Sequence, residues 1–213
     1  MIYKRSDKGK RLVVMPKETY IAKAKSVVDE YKPVGKNPTP KLQAQTKRII
    51  HDTMDTVLDE KIVKILLPHA SRTAEFYGLP KTHKDNIPLR PIVSAYDDPL
   101  DKLTWFLERI VTQLLAFVPA HLKNTEQYLS TLKNKYPDGL PPGTIVFTMD
   151  VNNLYGNIPT DEAIDAVCSM IQTHEDKIDL FGLPLDAFKT LLRHCLHNNF
   201  VSSVTNTINK RKE

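Results

Sequence analysis

At 213 residues, 41% hydrophobic and 26% charged, the chain suffices for one domain or two small ones and has the make-up of an ordinary soluble protein. Its apolar runs are broken by charge, which argues against a transmembrane helix, and its opening, MIYKRSDKGKRL, lacks the apolar centre of a secretory signal. Cys168 and Cys195 are too few and too far apart for a zinc knuckle or disulfide framework, so buried reduced thiols and an intracellular setting are expected; the net charge of +5 permits a nucleic-acid partner without requiring one.

In chain order, Lys8-Gly9 predicts a turn, Arg11 to Met15 a short strand, and the following segment to Tyr31 a helix that Thr19 is placed to cap. A proline-rich connector from Lys32 leads to a helix over Lys41 to Leu58, with Leu42, Ile49, Ile50, Met54 and Val57 at helical spacing. EKIVKILLP gives a short helix ending at Pro68. Phe76-Tyr77 and Pro91 to Ser94 predict two strands joined by a polar turn at Lys84-Asp-Asn86, and their prolines predict an exposed hairpin, not central strands. Pro99 opens an amphipathic helix through Leu115, and Thr125 to Tyr136 predicts another. TIVFTM, Thr144 to Met149, is β-branched and apolar enough for a buried strand. Helices follow from Thr160, which is placed as N-cap, and over Leu185 to His197. Long helical periodicities between few, short strands predict an α+β fold.

Asp150 stands at the end of the predicted TIVFTM strand, ahead of Asn152, Asn153 and Tyr155. A carboxylate there is either a turn residue at a sheet edge or a metal ligand at the lip of a cleft. Basic residues crowd Lys4 to Arg11 and Lys81 to Arg90, either as solvated surface or as phosphate-binding groups, and Lys210 to Lys212, read as solvated surface. Asn152 and Asn153 are read as turn residues, and His83 as a hydrogen-bonding residue of the hairpin.

Three ordered motifs, SDKGKRLVVMPKETYI, FYGLPKTHK…PLRPIVSA and FTMDVNNLYGNIPTDEAI, closely resemble the reverse transcriptase domain of Penelope-like retroelements, with similarity over roughly Arg5 to Val201. The resemblance implies a mostly helical fingers region with a β-hairpin over 1–143 and a partial palm sheet of the right-hand polymerase type over 144–201. Asp150 resembles the first catalytic aspartate, with the Val151 carbonyl as a further contact to Mg2+ or Mn2+. Tyr155 is similar to the side chain beneath the incoming sugar. Arg90, with Lys81, resembles the pair contacting the dNTP triphosphate, and the hairpin is expected to fold towards Asp150. Lys8, Lys10 and Lys84 are implied contacts to RNA template and DNA primer, and Asp7 to Lys10 resemble an upstream element supporting template or fingers.

In that family a further strand, a motif near MGSPLSP and a Tyr/Phe-x-Asp-Asp turn follow. Here the residues after Val201 match nothing in the pattern, and no Asp-Asp pair follows Asp150, whereas Asp97-Asp98 precedes it. The expectation is an N-terminal fragment of an RNA-directed DNA polymerase, inactive alone, nuclear if the element is eukaryotic and not bound to membrane. Residues 202–213, with Val204 and Ile208 as their larger apolar residues, are expected to form a disordered tail, since so little burial cannot offset an ordering cost of ~1–2 kcal/mol per residue. An unpaired sheet edge beside Asp150 is then expected to drive self-association. The alternatives are a non-catalytic nucleic-acid-binding module retained from such an element and a partner-binding protein with borrowed sequence.

Overall fold

Alternating burial along Ala74-Glu-Phe-Tyr-Gly-Leu-Pro80 marks the strand around which the main sheet is organised. The computed structural model describes every residue except Glu30, Asn152, Asn153, Val204, Thr205, Lys212 and Glu213, and only the backbone of Gly156, of Ser203 and of residues 206–211. The turn reading of Asn152 and Asn153, and Val204 in the expected tail, therefore lie outside the described residues. The architecture is α+β. It divides into one unit of Met1–Glu108 with Leu180–Glu213 and a second of Arg109–Asp179, a division that does not fall at 143/144.

In the first unit, β1 (Ile2–Arg5) and β2 (Leu12–Met15) form an antiparallel ribbon with Ile2 opposite Met15. Next come α1 (Lys17–Val28), β3 (Lys32–Val34), α2 (Thr39–Met54) and α3 (Glu60–Leu66). Helix α1 starts directly after Pro16 without a side-chain cap, two residues before the expected Thr19. Proline's fixed φ already suits a helix start, so no hydroxyl is needed to set it. Strands β4 (Ala74–Pro80) and β5 (Leu89–Ser94) form the expected hairpin, with Gly78 opposite Pro91 and Pro80 opposite Leu89.

Helix α4 (Asp101–Gln113) runs on from this unit into the second. There it passes into a 3-10 turn over Leu114–Phe117, followed by α5 (Thr125–Lys135), α6 (Leu154–Asn157) and α7 (Thr160–Thr173). The chain returns to the first unit through α8 (Leu185–His197), β6 (Phe200–Ser203) and β7 (Asn206–Arg211).

The sheet order β3-β7-β6-β4-β5 changes three expectations. First, β4 has partners on both sides despite its proline. Strand β6 lies parallel to it only at Ala74 and Glu75, so Pro80, at the other end, never has to donate to that ladder. Second, Ser202 and Ser203 belong to β6, and Asn206–Arg211 form β7 between β6 and β3. Backbone pairing on two sides gives this polar segment the order that its side chains do not suggest. Third, Thr144 to Asp150 forms no strand, and its side chains are exposed. The partial palm sheet expected there is absent among the described residues, because β-branched residues make a strand only where a neighbouring strand takes up their backbone groups.

One core of the first unit is formed by Tyr20, Ala24 and Val28 of α1 with Met15, Phe76, Leu89 and Val201. The helical residues recur every four positions, so α1 presents a single apolar stripe. Gly78 is required by this packing, since a Cβ there would lie 2.6 Å from Leu89 Cδ1. Elsewhere in this unit Thr46 Oγ1 and His194 Nε2 lie 2.9 Å apart, and burial pushes the His194 pKa down. In the second unit Ile110, Leu114, Ile164, Cys168, Ile171 and Ile178 are buried. The Gln113 side-chain amide donates to Asp179 O and accepts from Asp179 N, each at 2.9 Å. Thr160 is the first residue of α7, not its cap, and makes no side-chain cap bond; Asp161 and Glu162 place negative charge in the first turn instead.

Burial and the nearby charge of Asp98 push the Cys195 thiol from 9.0 up to about 12. The unfolded thiol releases its proton first, so stability falls as pH rises between those values, by ~1.4 kcal/mol per unit from this group. Urea midpoints at pH 8 and 10 should fall further for the wild type than for Cys195→Ala; equal falls would contradict the assignment.

Candidate functional site

The β4–β5 hairpin carries the basic residues Lys81 and Arg90 of the second motif. Its turn closes through Lys81 N–H to Pro88 O at 2.8 Å, Lys84 N–H to Lys81 O at 3.0 Å and Ile87 N–H to Lys84 O at 3.2 Å. Asn86 and Ile87 both have positive φ, 57° and 44°. Asn tolerates that region, whereas a β-branched Ile is strained in it. The Lys23 ammonium of α1 donates to Asn86 O and holds this turn.

Along β4 the accounting of backbone groups shows what else the hairpin needs. Strand β6 reaches only Ala74 and Glu75, which leaves the polar groups farther along that edge to other partners. The buried Tyr20 hydroxyl supplies both for Gly78, donating to its carbonyl at 3.2 Å and accepting from its N–H at 2.9 Å. Two residues on, Pro80 has no N–H, and its carbonyl accepts from Asp7 N–H at 2.9 Å. The β1–β2 loop is thereby fastened to the end of β4, with Lys8 and Lys81 each one residue beyond the bond.

The loop is itself tightly made. Ser6 N–H donates to Arg11 O at 2.8 Å, while Ser6 Oγ donates to Lys8 O at 2.6 Å and accepts from Arg11 N–H at 3.0 Å. Gly9 at φ 77° and Lys10 at φ 51° make the reversal. From this loop Asp7 Oδ1 meets Arg90 Nε at 2.6 Å. The Asp7 side chain is 7% exposed and that of Arg90 48% exposed. Asp7 Oδ2 is buried without a hydrogen-bond partner. Lys8, Lys10 and Lys84 are exposed, and Lys81 is half-buried. Lys4 sits 5.6 Å from the Tyr20 ring centre and 5.8 Å from that of Tyr77. Five of the basic residues named from sequence thus lie on one ribbon–hairpin pair.

Asp150, Val151 and Tyr155 belong to the second unit and are exposed, Tyr155 at 92%. Among the described residues no group of three His, Cys, Asp or Glu side chains is placed to hold a metal ion. Asp150 thus belongs to no such group of three among the described residues. Asp97 and Asp98, the other adjacent acids, serve the start of α4. Asp98 Oδ1 accepts from Leu100 N–H at 2.7 Å, and Asp97 pairs with Arg72 at 3.3 Å and donates its N–H to Asp101 at 2.9 Å. Burial pushes the Asp98 carboxyl up, against the pull of the Leu100 and Asp101 backbone N–H groups. His83 is exposed.

Sequence reading did not give Tyr20, Lys23 and the Asp7 carboxylate their parts in the hairpin. Tyr20 carries the pattern of an ordinary core residue, and only the SDKGK loop signalled Asp7. No helix among the described residues is long and apolar enough to cross a membrane. Protein-family models, curated proteins and solved structures yield no match to the chain.

The exposed stretch has a physical consequence of its own. Ile145, Val146, Phe147 and Met149 are 85%, 68%, 73% and 87% exposed. A run of that composition offers both apolar surface and free backbone groups to another chain. Self-association should therefore run through residues 145–149, and not through an edge left by residues after Phe200. Light scattering of nuclease-treated protein should show a smaller species for Val146→Lys/Phe147→Asp than for the wild type; an unchanged size distribution would exclude this stretch.

Proposed function

We propose that the chain is the N-terminal portion of an RNA-directed DNA polymerase of the Penelope-like type, with the β4–β5 hairpin as its nucleotide-binding fingers. One observation carries the reading: two motifs far apart in sequence supply a single basic scaffold, with Lys81 and Arg90 on the hairpin and Lys8 and Lys10 on the loop fastened to it. A guanidinium fork and lysine point charges are the groups that phosphates require. In this reading Arg90 and Lys81 hold the dNTP triphosphate, while Lys8, Lys10 and Lys84 meet phosphates of an RNA template and DNA primer. Tyr155 lies under the sugar. Asp150 and the Val151 carbonyl contribute one carboxylate and one oxygen towards magnesium or manganese, whose remaining ligands come from substrate and from other carboxylates of the complete enzyme. Such a protein works within the cell, in the nucleus for a eukaryotic element.

The test is binding of an RNA–DNA template-primer and of dNTP by the 213-residue chain. Arg90→Ala and Lys81→Ala should weaken dNTP binding and spare the duplex. Lys8→Ala and Lys84→Ala should weaken the duplex and lower its salt slope by about one each. Loss of neither on any substitution would remove the reading. A second reading, a non-catalytic nucleic-acid-binding module, is favoured by the finding that among the described residues no group of three His, Cys, Asp or Glu side chains is placed to hold a metal ion. It predicts duplex binding with no dNTP dependence.

A further inference from the structure

We infer that Asp7 is the positioning residue of the anion-binding arginine, setting which edge of the Arg90 guanidinium faces a phosphate; this rests on the fingers reading above. A free arginine can offer a phosphate either of two donor pairs, Nε with one Nη or the two Nη groups together. Here Asp7 Oδ1 stands 2.6 Å from Nε in an ion pair and occupies that side of the group. Among the described residues the Nη groups make no hydrogen bond, and the side chain as a whole is 48% exposed. The end-on pair is thus the one presented.

Asp7 is built to hold and not to let go. Its N–H is bonded to Pro80 O, and Ser6 ties the loop on both sides through Lys8 O and Arg11 N–H. Its carboxylate is 7% exposed, its one ion-pair partner among the described residues is Arg90, and Oδ2 meets no donor. A displaced Asp7 would leave a buried charge with neither oxygen satisfied, which is costly. An incoming anion therefore gains more by taking the free edge than by expelling the carboxylate. The cost is a nearby negative charge. The gain is a fork fixed in one orientation before the ligand arrives, so less freedom is lost on binding.

The probe is inorganic tripolyphosphate, titrated into the intact chain while the Arg90 Nε–H and Nη resonances are followed by NMR. In the wild type the Nη signals should shift and the Nε–H should keep the position it has without ligand; movement of Nε–H to that of a free arginine would show displacement and overturn the inference. Asp7→Asn should weaken binding about tenfold, as should Arg90→Ala, and the double substitution should be no weaker than Arg90→Ala alone. Weakening by Arg90→Ala with Asp7→Asn unchanged or tighter would overturn the positioning role and leave the fingers reading standing. No loss with Arg90→Ala would remove both. The wild-type titration needs no variant, so the inference stays testable if Asp7→Asn fails to fold.

Discussion

Arg90→Ala should destabilise the first unit by about 2 kcal/mol, more than Asp7→Asn does. The asymmetry follows from the two environments. The Asp7 carboxylate is buried and has one cationic partner, whereas the Arg90 side chain is half exposed and water can replace what it loses. Removing the arginine strands a charge; neutralising the aspartate does not. The double variant Asp7→Asn/Arg90→Ala should accordingly be more stable than Arg90→Ala alone, which is the reverse of additive damage. Urea denaturation of the three variants checks this. If the double variant loses the sum of the single losses, Asp7 is not a buried charge dependent on Arg90.

Gly78→Val should cost about 3 kcal/mol or more, enough to threaten folding of the hairpin. A Cβ at this position meets Leu89 Cδ1 at 2.6 Å and Leu89 Cβ at 2.9 Å, and the second contact belongs to the stem of the side chain, which cannot swing away. Both backbone groups of Gly78 are also held by Tyr20, so moving the strand to relieve the clash breaks those bonds. Gly78→Ala should be less harmful, and combining it with Leu89→Ala should recover part of the loss. Thermal melts of the set decide the matter; a Gly78→Val protein as stable as the wild type would mean that β4 and β5 are not packed as described.

Local signals were legible in the sequence and long-range ones were not. The hairpin showed in Phe76-Tyr77, in Pro91 to Ser94 and in the polar turn at Lys84 to Asn86, and α8 was expected at the bounds it has. These depend on neighbours a few positions away. Thr144 to Met149 has a strand's composition but no strand, because composition says nothing about whether a partner is present. The segment after Phe200 has the opposite history. Its polar residues signal little, and pairing with β3 and β4 places it in a sheet. At the candidate site Lys81 and Arg90 were named from their motifs, and Asp7 only as part of a loop. No spacing rule connects Asp7 with Arg90; their meeting is a product of the β1–β2 loop closing on the end of β4.

The sheet joins segments made at very different times. Strand β3 pairs with β7, and β4 pairs with β6, whose residues leave the ribosome long after those they meet. Synthesis at about 5–20 residues per second leaves the ribbon, α1 and the hairpin waiting for several seconds with the Ala74–Glu75 edge open. Such high contact order slows folding. During that interval the nascent chain exposes the apolar face later covered by Val201. A chaperone that shields extended apolar segments would have most effect in this window, and stalling translation before residue 200 should yield a hairpin sensitive to protease that becomes resistant once β6 has emerged.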